Sequence, residues 1–131
     1  MRKLFFTSII ILSTISVFAQ STSETPLQNI STDSSVGFRL FSTKNMYTFI
    51  KLNTRNGQMW QVQWNFESQK RFECTLSEIP LVDKVKEKNG RFFLYPTSNM
   101  YNFILIDQID GRTWQVQWNI DAEKRMVSPI N

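Results

Sequence analysis

The sequence predicts an all-β protein, built as two tandem four-stranded antiparallel meanders packed as a small sandwich or barrel with internal pseudo-twofold symmetry. Three observations carry this. Shifted by 54 places, residues 38–71 and 92–125 match at 17 of 34 positions, as expected of one supersecondary unit used twice. Each unit consists of strand-length aromatic and β-branched runs separated by turn-forming residues. The longest shared run, Trp60-Gln61-Val62-Gln63-Trp64-Asn65 against Trp114-Gln115-Val116-Gln117-Trp118-Asn119, alternates apolar and amide side chains with the period of a strand.

At the N-terminus, Met1-Arg2-Lys3 precedes an apolar run from Leu4 to Leu12, and Val17-Phe18-Ala19 offers the small residues of a cleavage site. Residues 1–19 therefore read as a secretory signal peptide. The run falls short of the ~20 apolar residues of a bilayer span, and no cysteine follows Ala19 to carry a lipid. The expected mature chain is secreted or periplasmic, without a membrane attachment. Loss of Arg2 and Lys3 lowers its formal charge from +4 to +2, which does not mark a cationic, partner-seeking surface.

Residues 20–35 are rich in Ser, Thr, Asn and Gln and poor in large apolar side chains, the composition of a flexible polar arm. Asn29-Ile30-Ser31 fits a glycosylation sequon, a pattern frequent by chance. A single β domain then spans 36–131, as repeats 36–76 and 90–131. The first repeat reads as strands Phe38–Phe41, Tyr47–Thr54, Gln58–Asn65 and Lys70–Leu76. The second reads as Phe92–Tyr95, Tyr101–Gln108, Arg112–Asn119 and Lys124–Ser128. Between them, the connector 77–89 carries Pro80 and a charged stretch with room for a helical turn.

A three-residue loop Arg55-Asn56-Gly57, with Gly57 left-handed, would set Leu52 opposite Trp60 and Ile50 opposite Val62. The second repeat would pair Ile106 with Trp114 and Ile104 with Val116. A two-residue Asn-Gly turn would instead place Lys51 opposite Val62 and mix the faces. On the three-residue register, Trp60, Val62 and Trp64 meet their duplicates Trp114, Val116 and Trp118 to form the core. The alternative is a two-blade piece of a propeller-like array, which would require further repeats from other chains to close.

On the same register the opposite face carries Tyr47, Phe49, Gln61 and Gln63, duplicated as Tyr101, Phe103, Gln115 and Gln117. A surface of aromatic rings and amides suits a protein interface or a glycan. Thr43-Lys44-Asn45-Met46-Tyr47 and Thr97-Ser98-Asn99-Met100-Tyr101 read as structural turns, because Asn side chains bond nearby backbone groups.

Other chemistries find little support. The chain contains no histidine, which removes His-based triads, a His general base and His-containing metal sites; no metal or cofactor is expected. Cys74 is the only cysteine, so no internal disulfide can form, and it reads as a small half-buried strand residue. Lys70-Arg71 and Lys124-Arg125 sit beside Glu67, Glu73, Asp121 and Glu123, which argues against nucleic-acid binding. Asp107 and Asp110 are the remaining candidates for acid/base catalysis, but they occupy a turn where the first repeat has Asn53 and Asn56.

The stretch from Phe103 to Val116, an apolar strand ending at Asp107 followed by Gly111 and the Trp114-led strand, resembles a hairpin of small uncharacterised exported bacterial β-repeat proteins. It differs at Gln108, where that pattern has Thr, and the first repeat has Asn53 in place of Asp. The resemblance implies an exported β-repeat protein and brings no catalytic residue. The expected function is therefore non-enzymatic binding of another macromolecule, a protein before a glycan, with oligomerisation open.

Overall fold

The computed structural model describes residues 33–131. The predicted leader, most of the predicted arm and the Asn29 sequon lie outside them. Eight strands form two four-stranded antiparallel meanders. The first contains β1 (Phe38–Ser42), β2 (Thr48–Asn53), β3 (Met59–Gln63) and β4 (Phe72–Ser77). The second contains β5 (Phe92–Pro96), β6 (Asn102–Asp107), β7 (Thr113–Gln117) and β8 (Met126–Ile130). The strands fall where the aromatic and β-branched runs predict. The fourth of each sheet starts two residues late, because Ser68–Lys70 and Ala122–Lys124 form short 3-10 turns. The connector has its own 3-10 turn at Lys84–Lys86.

The repeated motifs that are not strands close the turns. Asn45 and Asn99 each accept the amide of Tyr47 or Tyr101 at 2.9 Å. Thr43 and Thr97 donate across the same turn to Thr48 and Asn102 carbonyls. Arg71 Nε and Arg125 Nε both donate to the Asn65 or Asn119 carbonyl at 2.8 Å. Much of the sequence repetition is thus the repetition of turn hydrogen bonds, which buried or strained backbone requires.

The hairpin register corrects the expected one. Lys51 lies opposite Trp60 and Phe49 opposite Val62, with Leu105 opposite Trp114 and Phe103 opposite Val116 in the second sheet. The turn has four residues, since the Asn53 amide donates to Gln58 O and the Gly57 amide to Asn53 O. Asn53 Oδ1 accepts the Arg55 amide, and Asp107 Oδ1 accepts those of Ile109 and Asp110. The acid or amide must therefore stand at the base of the turn to satisfy its orphan N–H groups, and the Gly at its end adopts φ near +80°.

The slip, the same in both sheets, changes which β2 and β6 side chains share a face with the Trp residues, and the two sheets then bury opposite faces. In the first sheet the buried face is Phe41, Ile50, Leu52, Met59 and Gln61, and the Trp60, Val62 and Trp64 side turns outward, half-buried. In the second sheet the Trp side is the buried one: Phe92, Leu94, Phe103, Leu105, Val116 and Trp118 are sealed from solvent. The expectation that equivalent Trp faces meet is thereby corrected. The core joins one face of the first repeat to the opposite face of the second, so the repeats stack face to back. An exchange symmetry between the repeats would bury the same side of each, and burial does not follow it. The stack is fastened at one end by Thr54, whose carbonyl accepts the Phe92 amide at 2.8 Å and whose Oγ1 accepts the Gly90 amide.

Candidate functional site

The stacking leaves two outer sheet faces. On the first sheet, Phe38 and Leu40 are 47% and 43% exposed, whereas their repeat counterparts Phe92 and Leu94 are wholly buried. Phe38 packs at 6.2 Å on Trp60, beside the half-buried Phe49 and Val62. At the end of the same sheet, Tyr47, Trp64 and Phe66 form a step of rings with centroids 5.1 and 5.3 Å apart. Trp64 Nε1 donates to Met46 O at 2.7 Å, so the indole is held by its polar handle while its ring meets solvent.

Charged side chains interrupt this apolar surface: the Arg55 guanidinium lies 5.4 Å from the Phe38 ring centroid, and an ion pair crosses the sheet beside Trp60. Lys51 bonds Glu73, with its ammonium 5.0 Å from the Trp60 ring centroid. In the second repeat these two positions are Leu105 and Val127, a buried and a half-buried aliphatic residue. The two charges occur only on the copy of this face that meets water, as expected where a sheet face must remain soluble.

The outer face of the second sheet carries Tyr95, Ile104, Ile106, Gln115 and Gln117. Tyr95 is exposed and stacks on Phe93 at 4.8 Å. Gln115 Nε2 donates to Asn102 Oδ1 and Gln117 Nε2 to Lys124 O, both at 2.8 Å.

The eight residues expected to share one surface divide between opposite sides of their sheets. Tyr47 and Phe49 lie with the outward Trp face, and Gln115 and Gln117 lie on the outer face of the second sheet. Phe103 and Gln61 are in the core. Gln63 is half-buried on the Gln61 side, and the exposed Tyr101 packs on Trp118 at 5.1 Å. Gln61 is wholly buried, and neither side-chain polar atom has a hydrogen-bond partner among the described residues.

The acids of the second turn form a structural staple. Asp107 is wholly buried and takes a bidentate bond from Arg91, with Nε at 3.0 Å and Nη2 at 2.9 Å. Arg112 approaches the same carboxylate at 3.3 Å. Burial acts most strongly on Asp107 and would raise its pKa, but the bonds from Arg91, the Asp110 and Ile109 amides and Arg112 together hold it down to about 2. The Asp107 bond, in turn, pushes the Arg91 guanidinium further up. Asp110 stands outside this seal and accepts Arg91 Nη2 at 2.9 Å. Sequence repetition could not reveal Arg91, because Gly37 holds its place in the first repeat.

A shallow cleft of about 450 Å³ separates the connector from this turn, lined by Leu81, Val82, Asp83, Lys86, Asp110 and Arg112. Arg112 is committed there to the Leu81 carbonyl and to both turn acids. Cys74 is half-buried and its thiol is pushed up mainly by that burial, away from the reactive thiolate range. Among the described residues, no three His, Cys, Asp or Glu side chains are grouped to hold a metal ion.

No protein-family model matches the chain, and no similar curated protein or solved structure was found.

Proposed function

We propose that this is an exported, non-enzymatic β-repeat protein that binds another macromolecule, a protein, through the outer face of its first sheet. One observation carries the reading: an apolar surface with Phe38, Leu40 and Trp60 at its centre faces solvent, although the same surface of the second repeat is core. An exposed apolar patch crossed by the Lys51–Glu73 pair has the composition of an interface rather than of an ordinary soluble surface. A binding role also accords with the acids of the second turn. Asp107 is committed to two arginines and two amides, so it has no free lone pair to serve as a base. Export rests on the leader-like residues 1–19 alone.

The second reading, a glycan ligand, is favoured by the exposed ring step of Tyr47, Trp64 and Phe66, since aromatic faces suit the apolar sides of sugar rings. Affinity capture from the native envelope and culture medium, run beside retention on a panel of polysaccharides, tests both. The expected result is a protein partner recovered by the native chain and lost with Leu40→Glu. Equal recovery by both would remove this face from consideration. Polysaccharide retention that disappears with Phe66→Ala would favour the glycan instead.

A further inference from the structure

We infer that the partner of the outer first-sheet face is a second molecule of this same chain, docked by the outer face of its second sheet. The inference rests on the binding reading above and names the occupant. The contact it requires already exists inside each molecule. Between the two repeats, Phe41, Ile50 and Leu52 of the first sheet share one buried cluster with Leu94, Leu105 and Trp114 of the second, and Phe41 meets the Phe93 ring edge-on at 5.3 Å. The outer face of the second sheet presents Tyr95, Ile104 and Ile106 at the positions of Phe41, Ile50 and Leu52. The outer face of the first sheet presents Leu40, Lys51 and Trp60 at the positions of Leu94, Leu105 and Trp114.

Each molecule therefore has the lower half of its own internal interface exposed on one side and the upper half on the other. Exposed members include Tyr95 and Ile104 on one side and Phe38 and Leu40 on the other. The backbone positions recur as well: the Gln108 carbonyl and the Phe38 amide hold the places of the Thr54 carbonyl and Phe92 amide that fasten the internal stack. Because the two surfaces differ, the contact is heterologous and can be repeated head to tail. Lys51 and Glu73 in place of Leu105 and Val127 make it weaker than the internal contact, since an ion pair must be desolvated. Association is consequently concentration-dependent rather than obligate.

The test is light-scattering mass of the exported protein, eluted over about a hundredfold range of concentration, for the native chain, Leu40→Glu and Ile104→Glu. Circular dichroism and a thermal melt establish that both variants fold. The native chain should rise above the mass of one chain, and each variant alone should remain at one. An equimolar mixture of the two variants should form a two-chain complex and stop there, because only one competent contact remains. A single-chain mass for the native protein throughout would overturn the inference. So would a mixture that stays monomeric, or loss of association in only one variant, which would indicate a two-fold contact. If the native chain is monomeric and becomes oligomeric when residues 20–32 are deleted, the chain's own N-terminal segment is the occupant and the inference fails. Failure here with a different protein captured through Leu40 leaves the binding reading standing; failure of both removes the face altogether.

Discussion

Asp107 shows how a residue that invites a catalytic reading is explained by folding. Its carboxylate supplies the acceptors that a four-residue turn lacks and neutralises the buried Arg91. Because its pKa in the folded chain, about 2, lies below the ordinary 3.8, its contribution is fully present above about pH 4 and is lost as the pH falls through 2. Asp107→Asn keeps the shape and one turn acceptor but leaves Arg91 with Asp110 as its one carboxylate partner beside the Lys86 carbonyl, and should cost roughly 3 kcal/mol at neutral pH. Urea unfolding of both proteins from pH 7 downward should show the gap narrowing below pH 4. A gap that is constant with pH would mean that the carboxylate charge is not what Arg91 needs.

Gln61 was legible as part of a repeat but not as a buried residue. Alternation places it on the face opposite Trp60, and the register, the same in both repeats, does not decide which of the two is inside. Lys51 held the missing signal. A lysine where the second repeat has Leu105 indicates that this side of the first sheet faces water, and the observed pairing of Lys51 with Trp60 carries the indole outward with it.

At the scale of elements, all eight strands were legible from aromatic runs and turn residues, and the loop length was not. A Gly that can adopt positive φ permits three-residue and four-residue loops alike; the choice falls to the Asn53 and Asp107 side chains, which bond the turn amides only when they stand at its base. The two turns differ in what surrounds them. A Cβ on Gly57 would approach Leu81 Cδ1 to 2.8 Å and Phe92 Cδ1 to 3.3 Å, whereas one on Gly111 meets nothing within 4 Å. Gly111→Ala should cost about 1 kcal/mol, the penalty of positive φ alone. Gly57→Ala should cost clearly more, because that turn is wedged against the connector and the start of β5. Equal losses in thermal or chemical unfolding would mean that the first turn is not docked as described.

At the scale of the molecule, the duplication was the most legible feature and also the source of the main error. Two copies of one sequence suggest two copies of one environment, yet these two sheets share one internal contact and bury opposite sides in it. The propeller-like alternative already contained this geometry, since blades of an array meet face to back. The differences between repeats, Lys51 for Leu105 and Glu73 for Val127, mark the outer face more clearly than the identities do.

The most direct test of face-to-back stacking is urea unfolding, in dilute solution, of four alanine variants at two pairs of equivalent positions: Leu40 with Leu94, and Ile50 with Ile104. Burial predicts a crossed result, in which Leu94→Ala and Ile50→Ala each lose about 2–5 kcal/mol. Leu40→Ala and Ile104→Ala, at the outer faces, should lose much less. Equal large losses at Leu40 and Leu94, with small ones at Ile50 and Ile104, would show instead that equivalent faces meet, and would contradict the stacking on which the binding surface depends.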